Sequence, residues 1–146
     1  MNLIGNIGSL LKISYRIYSH SLLKQLQEKG FNDLRPSFLE ILIVISDKQG
    51  ASLKEIGQDC FLKKQTMTSH VNELVKRGYV RKVKGEKDRR EQRIFFTELG
   101  DKFQMSLKEE INNVQQFYLN NIGEIELLKI QNSLNELIEK TKPKQK

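Results

Sequence analysis

A short charged segment interrupts a chain whose other residues are patterned as helices. Residues 80–100 read VRKVKGEKDRREQRIFFTELG, with seven Lys and Arg within residues 81–93, three acids among them, and Ile-Phe-Phe directly afterwards. Residues 79–84 and 92–96 contain the β-branched and aromatic residues typical of strands, and residues 85–91 contain a glycine typical of turns. The segment therefore predicts a β-hairpin with a charged tip and a packed stem.

Helical patterns flank this hairpin. Residues 3–28 carry one apolar stripe at steps of three and four residues: Ile4, Ile7, Leu11, Tyr15, Tyr18 and Leu22. A second helix is predicted from Pro36, and because it is apolar almost all round it should be central and buried. Ser52, three residues before Glu55, predicts the start of a short third helix, and Gly78 predicts the end of a fourth. Two short helices directly before a charged hairpin predict a winged helix-turn-helix.

Two further helices follow the hairpin. Thr97 is predicted as the N-cap of a long fifth helix, and a sixth helix begins after the sequence NNIGE. The apolar stripes of the first, fifth and sixth helices are too long for one small module to cover. We therefore predict a mainly α fold with a small β-hairpin wing, in which the flanking helices form a dimerisation region and the chain is a homodimer.

The formal net charge of +7 is concentrated in the centre of the chain. Between Leu53 and Arg93 there are twelve Lys and Arg and six Asp and Glu, a net of +6, so the other 105 residues carry only +1. Such a footprint is typical of a module that binds a polyanion. A lysine-rich face that is merely soluble is the plainer alternative, and the localisation of the charge weakens it.

Several classes of protein are disfavoured. No apolar run approaches the roughly 18 residues that a membrane span needs, and the N-terminus shows neither the basic region nor the cleavage site of a signal peptide. One cysteine excludes an intrachain disulfide framework and favours a cytoplasmic location. The cysteine and the two histidines have no metal-ligand spacing, and motifs of nucleophilic or phosphate-binding enzymes are not found. We therefore expect no membrane association, no metal, no cofactor and no enzymatic activity.

Three segments together resemble the MarR family of bacterial transcriptional regulators: LRPSFLEILIVI, SLKEIGQDCFLKKQTMTSHVNELVKRGYV and EKDRREQRIFFTELG. The most specific part is Asp88-Arg89-Arg90 followed by an aromatic-Thr-Glu-x-Gly motif that ends at Gly100. The resemblance implies a symmetric homodimer that represses transcription from a pseudo-palindromic operator in double-stranded DNA. Recognition helices would enter consecutive major grooves and wings would reach the flanking minor grooves. A small-molecule effector that modulates DNA affinity is also implied.

The fourth helix would be the recognition helix. Its packing face carries Met67, Val71 and Leu74, and short polar side chains that can reach base edges point elsewhere: Gln65, Thr66, Thr68, Ser69 and Asn72. Lysines at the helix ends suit phosphates: Lys63, Lys64 and Lys76. For an arbitrary helix an ordinary solvated face would be the preferred interpretation. The charge localisation and the resemblance favour DNA contact here.

The wing would supply a second set of contacts. Arg90 is the candidate for insertion into the minor groove, with contacts to the DNA backbone from Lys87 and Arg89, and Lys84 is a further candidate DNA-binding residue of the wing. Asp88 would be repelled by phosphates, and we predict that it braces the wing by pairing with a nearby arginine. Ile94 and Phe96 would anchor the hairpin to the core. The alternative is a solvated tip whose charges pair among themselves, in which case loss of Arg90 would leave DNA affinity unchanged.

Other residues have more than one interpretation. Tyr15, Arg16 and Tyr18 could line an effector pocket, although aromatic residues at helical spacing are more often core. Cys60 is expected to be a small buried core residue rather than a redox switch. His70 is expected to be a partly buried histidine rather than a pH or ligand contact.

Two positions depart from the family pattern. Lys63 stands where a serine that caps the recognition helix is favoured, so a capping interaction should be lost. Phe61 stands where a glycine commonly occupies the turn. Because a bulky residue is strained at positive φ, a different turn conformation is an alternative.

The predicted organisation has three parts: an N-terminal dimerisation helix (1–33), a winged helix-turn-helix DNA-binding domain (34–97), and C-terminal dimerisation helices with a basic tail (98–146). The leading hypothesis is a sequence-specific DNA-binding regulator. The alternative is a winged-helix module whose basic surface binds an acidic protein partner. That alternative predicts no steep loss of DNA affinity with salt, because no counterions would be released from a duplex.

Overall fold

A computed structural model of the chain describes residues 2–143, and this part contains six helices and one two-stranded antiparallel sheet. The elements are α1 (Leu3–Glu28), α2 (Pro36–Asp47), α3 (Leu53–Cys60), α4 (Lys64–Lys76), β1 (Val80–Lys84), β2 (Gln92–Phe96), α5 (Glu98–Ile122) and α6 (Glu124–Thr141). Their order confirms the predicted mainly α winged helix-turn-helix with a β-hairpin wing. Residues 144–146 of the predicted basic tail lie outside the described residues.

Side-chain caps explain where the helices around the hairpin begin. The Ser52 hydroxyl accepts the N–H of Glu55 at 3.1 Å, which confirms the predicted start of α3. The Thr97 hydroxyl accepts the N–H of Gly100 at 3.1 Å at the start of α5, also as predicted. Lys63 occupies the N-cap position of α4, where no described side chain makes a capping bond, so the predicted loss of a cap is confirmed.

Residues up to Glu110 form one compact unit around α2. As predicted, α2 is largely buried, through Phe38, Leu39, Ile41, Leu42 and Ile45. Helix α4 turns its buried residues Met67, Val71 and Leu74 to the same core. Phe103 of α5 is fully buried, and its ring centroid lies 5.5 Å from that of Phe31, 6.0 Å from that of Tyr79 and 6.3 Å from that of Phe96. This aromatic cluster connects α5 to the base of the hairpin.

The hairpin is held to the core by its stem. Val80 pairs with Phe96 at the open end of the sheet, and both Ile94 and Phe96 are buried, which confirms the predicted anchor. The turn between α2 and α3 bonds to the outer edge of β2. There the Gly50 N–H donates to the Ile94 carbonyl at 2.9 Å, and the Ile94 N–H donates to the Ala51 carbonyl at 3.0 Å. The wing therefore projects from a stem with backbone hydrogen bonds on both edges of β2.

Residues from Ile111 on form a second compact unit, which holds the end of α5 and all of α6. No residue of α6 within Glu124–Thr141 is buried, and large apolar side chains of this unit are exposed: Phe117, Ile122, Ile125 and Leu128. In the first unit, α1 likewise exposes Leu3, Ile4, Leu10, Ile13 and Ile17. Both units therefore expose large apolar side chains to solvent.

None of the helices within residues 2–143 is both long enough and apolar enough to cross a membrane.

Phe61 ends α3 in the left-handed conformation, with φ 55° and ψ 37°. The Leu62 N–H donates to the Gly57 carbonyl at 3.0 Å and the Phe61 N–H donates to the Gln58 carbonyl at 3.3 Å, which is the pattern of a Schellman helix end. The alternative expectation, a different turn conformation, is therefore wrong. The bulky residue adopts the conformation that glycine favours, and its side chain is 95% exposed.

Replacing Phe61 with glycine is expected to raise the free energy of unfolding by about 1 kcal/mol, because a residue with a Cβ atom pays a steric cost in the left-handed region. Urea denaturation at fixed protein concentration measures the change. Phe61→Ala is the matched control, since it removes the same exposed ring but keeps the Cβ atom, and it should give little of the gain. Equal stabilisation by both variants would show that the ring, and not the backbone, is the source.

Candidate nucleic-acid interface

The exposed side of α4 carries the predicted recognition residues. Because Met67, Val71 and Leu74 face the core, the opposite side of the helix is open to solvent and borders a shallow groove of about 750 Å³. The groove is lined by Lys64, Gln65, Thr68, Ser69, Asn72, Glu73 and Lys76. Six of the eight predicted recognition-helix residues thus lie on one groove. Lys63 and Thr66 are exposed but do not line it.

Two side chains on this face make hydrogen bonds within the protein. The Thr68 hydroxyl donates to the Lys64 carbonyl at 2.8 Å, one turn earlier in α4. The Asn72 side-chain oxygen accepts a hydrogen bond from the Lys82 ammonium of β1. Helix α4 is therefore connected to the first strand of the wing by a polar contact on its exposed side.

The wing tip is closed by a network around Asp88. The Gly85 N–H donates to the Glu91 carbonyl at 2.8 Å, and the Glu91 N–H donates to the Asp88 carbonyl at 3.1 Å. The Asp88 carboxylate accepts the backbone N–H of Arg90 at 3.0 Å and pairs with the Arg90 side-chain Nε at 3.3 Å. The arginine that pairs with Asp88 is thus Arg90 itself, whose side chain remains 93% exposed.

Four other basic residues at the tip and in the second strand of the wing divide into two groups. Lys84, Lys87 and Arg89 are exposed at or beside the tip. Arg93 instead donates to the Gly50 carbonyl at 2.8 Å and pairs with Glu91 at 3.1 Å, so it ties the stem to the turn before α3. The sequence alone does not show that Arg93 has this structural role while the other cations of the wing are exposed.

A recess of about 520 Å³ lies between α3, α4 and the wing. Its cationic residues come from three elements, Lys54 of α3, Lys64 of α4 and Arg90 of the wing tip, and the acids Asp88 and Glu91 lie at its edge. Lys54 was not among the predicted site residues. Its position could have indicated this role, because Lys54 is the second residue of α3 and the start of that helix borders the recess beside the wing.

The predicted effector residues separate in the structure. Tyr15 and Tyr18 line a cavity of about 370 Å³ within the first unit, whereas Arg16 does not line it. The other lining residues are Glu40, Ile43, Val44, Asp59, Cys60 and Phe61. The Tyr15 hydroxyl donates to the Glu40 carboxylate at 2.9 Å, and burial together with this bond raises the pKa of Tyr15 to about 12. The cavity thus combines aromatic walls with two carboxylates.

Cys60 lines the cavity and is not fully buried, so the expectation of a buried core residue is wrong, whereas His70 is partly buried, as predicted. Cys60 is half-buried, and burial, followed by the nearby Glu40 and Asp59 charges, raises the pKa of its thiol to about 11. The thiol is therefore protonated at neutral pH and is a poor nucleophile. His70 is half-buried and packs edge-on against Phe38, with ring centroids 5.4 Å apart. Across the described residues, His, Cys, Asp and Glu side chains form no group of three suited to a metal ion.

Comparison with known proteins places this interface in a family. Residues 32–91 match the model of the MarR family. The chain is 32% identical over 100 residues to the HTH-type transcriptional regulator SarZ of Staphylococcus aureus, a match that covers 68% of this chain and 66% of SarZ. It is 37% identical over 65 residues to the regulator TtmR of Methylorubrum extorquens, covering 44% of this chain and 33% of TtmR.

Those matched segments span a third of TtmR and just under two thirds of SarZ. Structural similarity covers more of the chain than these sequence matches do. FabT of Streptococcus pneumoniae, solved in complex with DNA, superposes with a TM-score of 0.75 at 18% identity, over 93% of this chain and 95% of FabT. The family match covers the helix-turn-helix and most of the wing, the segments that form the groove and the recess described above. The chain belongs to the MarR family.

Proposed function

We propose that the protein is a sequence-specific regulator of transcription that binds double-stranded DNA as a homodimer and represses from a pseudo-palindromic operator. The recess between α3, α4 and the wing is the observation that carries this proposal. There Lys64 at the start of the recognition helix and Arg90 at the wing tip border one surface. A cationic surface that continues from a polar helix face to a projecting arginine suits a duplex, whose phosphates run beside both grooves.

The roles of the side chains follow from their positions. Gln65, Thr66, Thr68, Ser69 and Asn72 would meet base edges in the major groove, because they are short and most of them lie on the open side of α4. Phosphates would be bound by Lys54, Lys63, Lys64, Lys76, Lys84, Lys87 and Arg89. Arg90 would enter the minor groove, and Asp88 would brace it by the two contacts it makes to Arg90. FabT, which shares the fold, is known in complex with DNA.

The dimer would form through the helices outside the winged helix-turn-helix. Exposed apolar side chains on α1 and on the second unit support this arrangement, because a second copy of the chain would remove them from water. The proposed division is the one expected from the sequence: residues 1–33 and 98–146 for dimerisation and residues 34–97 for DNA binding. We place the protein in the cytoplasm, where DNA and the transcription machinery of a bacterial cell are found.

The proposal includes an effector site in the cavity lined by Tyr15 and Tyr18. Aromatic walls would contact the apolar part of a small molecule, and Glu40 with Tyr15 would supply polar contacts. Because α1 also carries much of the exposed apolar surface, a ligand that moves α1 would change the spacing of the two recognition helices and hence the DNA affinity. Arg16, which lies outside the cavity, has no assigned role in it.

The test is selection from random duplexes followed by sequencing, with the wild type and Arg90→Ala in parallel. The wild type should enrich an inverted repeat, and Arg90→Ala should bind it roughly 10- to 100-fold more weakly, because each half-site loses an arginine contact to the DNA. Arg81→Ala is the matched control: it removes one exposed positive charge from the same hairpin, but from strand β1, where Arg81 stacks on Phe95. It should lower the affinity much less.

The outcomes separate the two hypotheses. If no duplex is enriched and Arg90→Ala behaves as the wild type does, the basic surface binds something other than DNA, and an acidic protein partner becomes the better proposal. If Arg81→Ala and Arg90→Ala weaken binding equally, net charge alone acts and the minor-groove role of Arg90 is wrong.

A further inference from the structure

Asn72 lies on the open side of α4, where it is exposed and lines the groove. Its side-chain oxygen accepts a hydrogen bond from the Lys82 ammonium of β1. An asparagine side chain has one oxygen with two acceptor lone pairs and one NH₂ group that donates two hydrogen bonds. With the oxygen turned to Lys82, the NH₂ group is the part of Asn72 that remains fully open to another partner.

The bases differ in what they require from such a group. A bidentate contact with adenine needs both halves of the amide, because the oxygen accepts from the adenine N6 amino group while the NH₂ donates to N7. Guanine presents two acceptors, N7 and O6, in the major groove. With the Asn72 oxygen turned toward Lys82, adenine N6 can reach only the second lone pair of that oxygen, whereas both NH₂ hydrogens remain open to the N7 and O6 of guanine. The amide held in this way therefore suits guanine better than adenine.

We propose that Lys82 is a positioning residue that holds Asn72 as a hydrogen-bond donor and directs it to guanine rather than adenine. The inference rests on the proposed function, since it assigns base preference within the same DNA interface. It adds a residue that belongs to neither the recognition helix nor the wing tip.

The pairing of β1 with β2 fixes the backbone position of Lys82. Lys82 is half-buried and stands opposite Ile94, a fully buried residue of β2, so the strand register sets where its side chain begins. An ammonium group has three donors, so Lys82 can keep the Asn72 oxygen and still donate to a phosphate of bound DNA. Formation of the complex does not require the contact to break.

Thr68 shows the complementary arrangement on the same face. Its hydroxyl proton is donated to the Lys64 carbonyl, so the hydroxyl lone pairs and the methyl group are left to face a base. One turn apart, Asn72 thus offers donors while Thr68 offers an acceptor and a methyl group. The hydrogen-bonding character of the recognition face is set in the free protein by these two internal bonds.

The experiment compares base preference, position by position, for the wild type and three variants in random-duplex selections. Asn72→Ala identifies the base pair that Asn72 reads, as the position whose preference disappears. Lys82→Met removes the ammonium but keeps a long side chain, and Lys84→Met is the matched control, because it removes the same charge from the same strand without touching Asn72. The wild type should prefer guanine at the identified position. With Lys82→Met, adenine should gain relative to guanine by roughly tenfold, within the range that one bidentate contact supplies.

Lys84→Met should weaken binding without changing the preferred base at that position. If Lys82 had only a structural or electrostatic role, Lys82→Met would also weaken binding without changing the preferred base. The proposal is overturned if the wild type already prefers adenine there, if Lys82→Met leaves the preference unchanged, or if Asn72→Ala alters no position. Failure of the wild type to enrich any duplex is a different result, because it overturns the proposed function itself.

Discussion

Raising the salt concentration from about 50 to about 200 mM is expected to weaken operator binding by roughly 10³- to 10⁵-fold, as for proteins that contact six to ten phosphates. The expectation comes from the cations on the interface. Besides Arg90, seven side chains proposed to bind phosphates are exposed: Lys54, Lys63, Lys64, Lys76, Lys84, Lys87 and Arg89. If about four of these meet phosphates, a dimer neutralises about eight, and the logarithm of the affinity should fall against the logarithm of salt with a slope of about −7.

The measurement is the dissociation constant for the selected operator at several salt concentrations. Lys64→Gln should make the slope shallower by roughly two, one for each subunit of the proposed dimer, since Lys64 lines both the groove on α4 and the recess. Lys24→Gln is the control, because Lys24 is an exposed lysine of α1 outside the central segment, and it should leave the slope unchanged. A slope near zero for the wild type would contradict the proposed DNA contacts and favour the protein-partner alternative.

The architecture could be read from the sequence because it depends on local patterns that act over short distances. The caps at Ser52 and Thr97, the apolar α2 and the alternation that buries Ile94 and Phe96 all involve residues within one element or its immediate neighbour. The exposed side of α4 followed from the same logic. Once Met67, Val71 and Leu74 were assigned to the core, the helical period determined which residues point away from it.

Contacts that join distant segments could not be read in this way. Lys82 and Asn72 belong to different elements, and no pattern in either segment indicates that their side chains meet. Arg93 resembles the other cations of the wing in sequence, yet it bonds to the Gly50 carbonyl, which is 43 residues away.

Glu110 is a further example of a contact that sequence patterns do not indicate. It lies in α5 and is buried, with one carboxylate oxygen 2.9 Å from the Lys29 ammonium at the end of α1. From the sequence alone an acidic residue in a helix would be expected at the surface, because charged residues are seldom buried unless they are paired.

Substituting alanine for Gly100 is expected to lower the free energy of unfolding by about 3 kcal/mol, the upper part of the usual range for an overpacked site. Gly100 is buried in the first turn of α5, where a Cβ atom would collide with the Tyr79 carbonyl oxygen and would lie 2.8 Å from the Cβ atom of Phe96. The Tyr79 carbonyl cannot easily move away, because it accepts the Thr97 N–H at 3.1 Å. The glycine of the aromatic-Thr-Glu-x-Gly motif is thus explained by the close approach of α5 to the base of the hairpin.

Gly8→Ala is the matched control, since Gly8 also lies within a helix but a Cβ atom there would have no neighbour within 4 Å. That variant should be more stable than the wild type by about 0.5–1 kcal/mol, because alanine loses less conformational freedom than glycine in a helix. Chemical denaturation of both variants at one protein concentration gives the two values with opposite signs. If Gly100→Ala unfolds at the wild-type denaturant concentration, then α5 can shift away from the hairpin without cost, and the motif glycine does not fix the wing to α5.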